Sequence, residues 1–247
     1  WQCDCDVAGA KSIMAEAELM AMASHIFKEL NLNTRIDVNN RKLLDSLLTY
    51  AGINSAKHSD AILTIDKLKK IQFEGVKAEL AEKGIAVTEK LKEILDIKGN
   101  NKEVLAQLDT IIPDSEGLNE IKELLRYCEN FKLDTVKLDI SLARGLSYYT
   151  GTIFEGFMHR SKLKSSICAG GRFDTMISKL ANVNQDIPAV GISFGLDVLT
   201  DAMKLEQEKT KKSQVELFVI PIQTQSECAK LVQELRSAEI KTDIDLV

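Results

Sequence analysis

Residues 136–142 read Val136-Lys137-Leu138-Asp139-Ile140-Ser141-Leu142, and after Ala143-Arg144-Gly145-Leu146-Ser147-Tyr148-Tyr149-Thr150-Gly151 the chain continues Thr152-Ile153-Phe154-Glu155-Gly156-Phe157-Met158. In the first block Val136, Leu138, Ile140 and Leu142 face one way and Lys137, Asp139 and Ser141 the other, the period-two pattern of a half-buried strand. Thr152–Met158 reads as a second strand, and His159–Lys164 is a polar, basic connection suited to a hairpin loop. Ser165–Ala169 continues the sheet and ends at Gly170-Gly171; a helix is predicted over Asp174–Leu180, a small-residue strand over Pro188–Phe194, and a helix from Gly195 through Leu205. These segments describe an antiparallel meander.

The opening residues alternate in the same way, with Trp1, Cys3, Cys5 and Val7 on one face and Gln2, Asp4 and Asp6 on the other. Ile13, Ala17, Met20, Ala23 and Phe27 then recur at helical spacing within Ile13–Leu30. Ile36 and Val38 mark a short strand, and Asn39-Asn40 offers a cap to a helix from Arg41 to Tyr50 that closes near Gly52. Over 55–131 the texture becomes rich in Lys, Glu and Leu, as in Ile62, Ile65, Leu68 and Ile71, which predicts an all-helical insertion. The expected organisation is a core in two parts, 1–54 and 132–205, split by that insertion. A linker follows at 206–214, and 215–247 supplies strand, helix and strand, the start of a small α/β domain. The fold class is α+β, a mostly antiparallel sheet flanked by helices.

The 247 residues carry 32 Lys and Arg against 37 Asp and Glu, are 45% hydrophobic and include only 3 Pro, which excludes disordered, collagen-like and low-complexity classes. The net charge of −5 supplies no overall field for nucleic acid, and no DNA partner is expected. The longest apolar runs, such as Leu217–Ile222 with its Pro221, fall far short of the roughly 18–20 residues that cross a bilayer. A membrane partner is not expected either. Five scattered cysteines suit reduced thiols, hence a cytoplasmic setting. Three distant histidines and no finger-like Cys/His spacing give no metal site built from side chains. The start at Trp1, without Met or a signal-like stretch, suggests the continuation of a longer chain.

Chemistry concentrates in Arg144–Gly151. An Arg at a strand end beside two adjacent tyrosines can hold a carboxylate or phosphate bidentately at any pH. In Cys168-Ala169-Gly170-Gly171-Arg172-Phe173-Asp174 the paired glycines permit close approach of a ligand or of neighbouring backbone. Val190-Gly191-Ile192-Ser193-Phe194-Gly195-Leu196 runs small residues into a helix N-terminus able to meet a phosphate, without a dinucleotide fingerprint or a phosphate loop.

In this order and spacing the strings resemble the histidyl-tRNA synthetase family, class II aminoacyl-tRNA synthetases. Arg144–Gly151 and Ala169–Asp174 are similar to its two histidine-recognition motifs, Gln2–Gly9 to the tail of motif 2, Pro188–Leu199 to motif 3, and 215–247 to the beginning of its anticodon-binding domain. The resemblance implies ATP-dependent activation of L-histidine and its transfer to tRNA(His), with ATP as substrate, Mg²⁺ on its phosphates, and a homodimer. It implies that Gln2, Asp6, Tyr148 and Tyr149 bind histidine, that Arg144 binds it and serves catalysis, and that Gly170, Gly171, Arg172, Gly191 and Gly195 line the pocket or its ATP side. Two positions depart from the pattern: Ser147, where relatives usually carry Asp, and Asp197-Val198, where motif 3 usually ends Glu-Arg and the Arg packs on ATP. Motif 1 and the first half of motif 2 would lie upstream of Trp1. The alternative reading is a catalytically inactive, synthetase-like module that senses histidine or tRNA, as in the regulatory subunit of ATP phosphoribosyltransferase or a kinase-linked pseudo-synthetase.

Overall fold

A computed structural model describes residues 1–146, 148–206 and 214–246. Residues 1–206 form one compact unit. Its elements are β1 (Gln2–Ala8), α1 (Met14–Glu29), β2 (Thr34–Asn40), α2 (Arg41–Tyr50), five helices α3 (His58–Ile65), α4 (Leu68–Glu82), α5 (Glu89–Leu95), α6 (Asn101–Ile111) and α7 (Glu116–Asn130), then β3 (Val136–Leu138), β4 (Thr152–Met158), β5 (Cys168–Arg172), α8 (Met176–Ala181), β6 (Ala189–Gly195) and α9 (Leu196–Glu206).

The six strands make one sheet in the order β1-β6-β5-β4-β2-β3, antiparallel throughout except for the β2–β3 pair. One face is apolar: Phe27 of α1 stacks edge-on to Phe194 at 5.9 Å, and Ala17, Met20, Ala23, Ile36, Val38 and Phe154 are buried in the same core. Burial at roughly 25 cal/mol per Å² of apolar surface is what holds α1 there. Asn40 extends β2 and caps α2, its side chain accepting from the amides of Lys42 and Leu43. It also donates to Glu120 of α7 at 2.6 Å. Helix α7 packs on α1, α2 and β2, so the helical stretch 55–131 belongs to the same compact unit as the sheet.

Two boundaries differ from the sequence expectation. β3 stops at Leu138 because the Asp139 carboxylate turns back to the Ser141 amide (2.9 Å) and hydroxyl (2.6 Å), closing a side-chain turn that competes with the ladder. β5 begins only at Cys168 and runs through Gly170-Gly171, so the glycines lie inside the strand and do not end it. At the bend before the tyrosines Arg144 takes a left-handed conformation (φ 44°).

Residues 214–246 include β7 (Leu217–Val219), α10 (Gln225–Ser237) and β8 (Thr242–Ile244), with β7 and β8 paired in parallel and α10 against β8. The linker expected at 206–214 falls, between its ends, outside the described residues, as does Ser147.

Candidate active site

The second face of the sheet carries the candidate site. Register sets its floor: Asp6 lies across from Gly191 and Gly191 from Gly171, while Asp4 lies across from Ser193, Ser193 from Ala169 and Ala169 from Glu155. Above this floor opens a cavity of about 440 Å³ whose lining includes Asp4, Asp6, Tyr148, Tyr149, Phe173 and Met176. Gly170, Gly171 and Gly191 line it too.

The glycines are there for steric reasons. A Cβ at Gly191 would overlap the Asp6 carboxylate, and one at Gly171 would stand 2.8 Å from the Tyr149 ring. At Gly170 it would strike the Gly191 carbonyl oxygen. Bare backbone therefore lets Asp6 and Tyr149 lie flat over the sheet.

Tyr148 and Tyr149 stand 4.5 Å apart between ring centroids, tilted by 51°. Burial pushes the Tyr149 hydroxyl up to about 12, with Tyr148 adding to the effect and Arg144 opposing it. Arg144 itself does not line the cavity. It lies behind Tyr149, with its guanidinium 5.6 Å from that ring's centroid, one nitrogen 3.5 Å from the Tyr149 oxygen and another 2.6 Å from Glu155 Oε1. Burial works against its charge, yet Tyr149 and Glu155 outweigh burial and raise its pKa further. A left-handed φ on a non-glycine residue costs about 1–2 kcal/mol, and the ion pair to Glu155 offsets that strain. Burial holds the Glu155 carboxyl above its usual range despite Arg144.

Gln2 stands beyond the cavity lining and donates to Ser193 Oγ at 3.0 Å, bracing a residue of the floor. Burial, then the neighbouring charge of Asp4, raises the pKa of Asp6. Gly195 ends β6 away from the lining, where its missing Cβ faces only Val198, 3.7 Å off.

Arg172 requires a correction: it does not line the cavity. Its guanidinium points through the other face of the sheet, pairs with both oxygens of Glu16 at 2.6 Å, and donates to the Ala10 and Ser12 carbonyls and to Asp174. At 4% and 0% side-chain exposure, Arg172 and Glu16 form a buried structural pair. The sequence reading overlooked Asp4, Ser193, Phe173 and Met176. Asp4 shares the strand face of Asp6, and that alternation was signal enough. Phe173 and Met176 carry no periodic mark.

Among the described residues no group of three or more His, Cys, Asp or Glu is placed to hold a metal ion. All five cysteines are free thiols, and among the described residues no helix is long and apolar enough to cross a membrane.

The family model described as "Histidyl-tRNA synthetase" matches residues 1–199. Histidine--tRNA ligase 1 of Bacillus cereus is 40% identical over 99% of this chain and 58% of its own length. Histidine--tRNA ligase of Gloeobacter violaceus is 36% identical over 98% of the chain and 54% of its own length. The chain thus spans less than three-fifths of either relative. The crystal structure of histidyl-tRNA synthetase from Nostoc sp. PCC 7120 superposes with a TM-score of 0.76 at 28% identity, over 100% of this chain and 61% of that one. A Bacillus halodurans C structure described as an ATP phosphoribosyltransferase regulatory subunit/histidyl-tRNA synthetase shares the fold, at a TM-score of 0.70 and 21% identity over 99% of this chain and 63% of that one. The chain belongs to the histidyl-tRNA synthetase family.

Proposed function

We propose that the protein is a histidine–tRNA ligase, which activates L-histidine with ATP to histidyl-adenylate and passes it to tRNA(His). The observation that carries this reading is one cavity on one sheet face where Asp6, Tyr148 and Tyr149 converge over a glycine floor, with Arg144 directly behind the tyrosines. An imidazole stacks on the tyrosine rings. Asp6 meets its N–H or the ammonium, and an opposite charge in a partly dry pocket discriminates strongly. Gln2 holds Ser193 in the floor. Arg144 stabilises the charge that develops as the histidine carboxylate attacks the α-phosphate and pyrophosphate leaves, a task for a positioned cation more than for a base. To reach the ligand it must loosen from Glu155.

ATP enters as substrate. Mg²⁺ would ride on the ATP phosphates; among the described residues no cluster of side chains is placed to cage it, and it is assigned to no residue. Residues 55–131 serve as the helical insertion between the core parts 1–54 and 132–205, 206–214 as linker and 215–247 as the start of an anticodon-binding domain. The working form is a cytoplasmic homodimer.

The test is histidine-dependent exchange of labelled pyrophosphate into ATP. The protein should exchange, and Arg144→Ala should lose about a hundred- to a thousandfold in rate while histidine binding partly survives. One observation favours the inactive sensor: Val198 packs against the core at the position where the family's ATP-stacking Arg stands. Histidine binding without any exchange would establish that second reading.

A further inference from the structure

The charged side chains lining the cavity are carboxylates. Asp4 and Asp6 stand two residues apart on one face of β1, and among the described residues neither side chain has a hydrogen-bond or ion-pair partner. The rest of the wall includes glycine, alanine, isoleucine, two tyrosines, Phe173, Met176 and Ser193. The Arg144 guanidinium beside Tyr149 is already engaged by Glu155. Two uncompensated like charges beside an apolar floor repel each other and attract a cation, and both effects grow as water leaves.

We infer that Asp4 is a second specificity-determining residue of the histidine cavity, forming with Asp6 a two-carboxylate wall that takes the cationic end of the ligand. This rests on the histidine reading above and names a residue to which the resemblance assigned no role. The titratable and charged groups facing the pair are few: Tyr148 and Tyr149 across the cavity, with Arg144 and Glu155 behind them, while β6 offers Gly191 and Ser193 and α8 offers Met176 and Ile177. Asp4 therefore acts on the ligand in two opposed ways. Its charge attracts the ligand's cation, and it also resists the ionisation of Asp6, whose pKa is raised by burial and then by Asp4. Removing the Asp4 charge must weaken binding at neutral pH and, because Asp6 then ionises at lower pH, carry the acid limb of binding downward.

The experiment is calorimetric titration of L-histidine into the wild-type protein, Asp4→Asn and Asp6→Asn, from neutral pH into the acid range, with thermal melts as the folding control. Asp4 faces solvent at the cavity mouth, so its Asn variant should melt as the wild type does. Asp4→Asn should weaken histidine about tenfold at neutral pH and move the acid midpoint to lower pH. An unchanged Kd, or a weaker Kd with an unmoved midpoint, overturns the role of Asp4; if Asp6→Asn still loses histidine in that experiment, the histidine site itself stands. A well-folded wild type that binds no histidine overturns both.

Discussion

Gly191→Ala separates what this sheet needs for folding from what it needs for its ligand. A Cβ at residue 191 would fall inside the van der Waals envelope of Asp6 Oδ1, 2.9 Å from Asp6 Cγ and 3.3 Å from a Phe173 ring carbon. The carboxylate is the free end of a side chain on an open wall, so it can rotate aside. Gly191 has an ordinary φ, so alanine is tolerated by the backbone and removes unfolded-chain entropy, a gain of about 0.4–1 kcal/mol. That gain and the crowding at Phe173 leave net stability within about 1 kcal/mol of wild type. The ligand has no such compensation, because displacing Asp6 removes an opposite charge from its contact, about 1.5–3 kcal/mol for a charge-assisted hydrogen bond. Histidine affinity should therefore fall about ten- to a hundredfold with the melting temperature nearly unchanged, read by calorimetric titration beside thermal denaturation. Affinity within twofold of wild type would refute the placement of Asp6 against the ligand.

Other perturbations follow from the same packing. Gly170→Ala has no soft neighbour to displace, since its Cβ meets the Gly191 carbonyl and stands 2.7 Å from the Phe154 ring; it should destabilise by about 1–3 kcal/mol or more in urea unfolding. Glu16→Gln leaves the buried Arg172 cation with only the more exposed Asp174 as counter-charge and should cost about 3 kcal/mol; a loss under about 1 kcal/mol would mean that Asp174 and the carbonyls suffice. Burial pushes both Cys128 and Cys168 up to about 12, so a short pulse of iodoacetamide at mildly alkaline pH should label the exposed Cys3 and spare both, as read by peptide mass spectrometry. Burial raises the Asp139 pKa, but Lys69 and Ser141 outweigh it and the net shift is downward. Its stabilising share is therefore present above the ordinary carboxylate value near 3.8 and is lost as pH falls through the lower folded value. Asp139→Asn should flatten that acid limb of the melting curve.

Much of this architecture is legible in single residues. Ile36 and Val38 announce β2, Asn40 announces the start of α2, and the alternation from Gln2 to Val7 predicts which carboxylates share a face, because a period of two or 3.6 needs only local sequence. Interactions that span the chain escape such reading. Arg172 looks like a ligand-side cation beside Gly170-Gly171, and only the fold brings Glu16, 156 residues away, to claim it. Asp139 alternates properly for a strand and yet ends one, since its carboxylate finds Ser141 first. Arg144 was legible as chemistry but not as a strained bend gripped by Glu155, a contact set by the register of β4.

The junction of α7 with α2 has a consequence for how this protein can vary. Gly117 lies so close to the Leu43 amide that any side chain there would collide with backbone, and Lys42 bridges Glu116 at 2.7 Å and Glu120 at 2.5 Å just above. The excursion from Ala51 to Ser115 therefore departs from one end of α2 and is clamped back near the other, a helix length of roughly 15 Å away. Lengthening that detour costs little closure entropy, about 0.6 kcal/mol per doubling. Its connecting turns can thus vary in length while its buried residues stay in the common core, whereas a single methyl group at the clasp cannot be admitted.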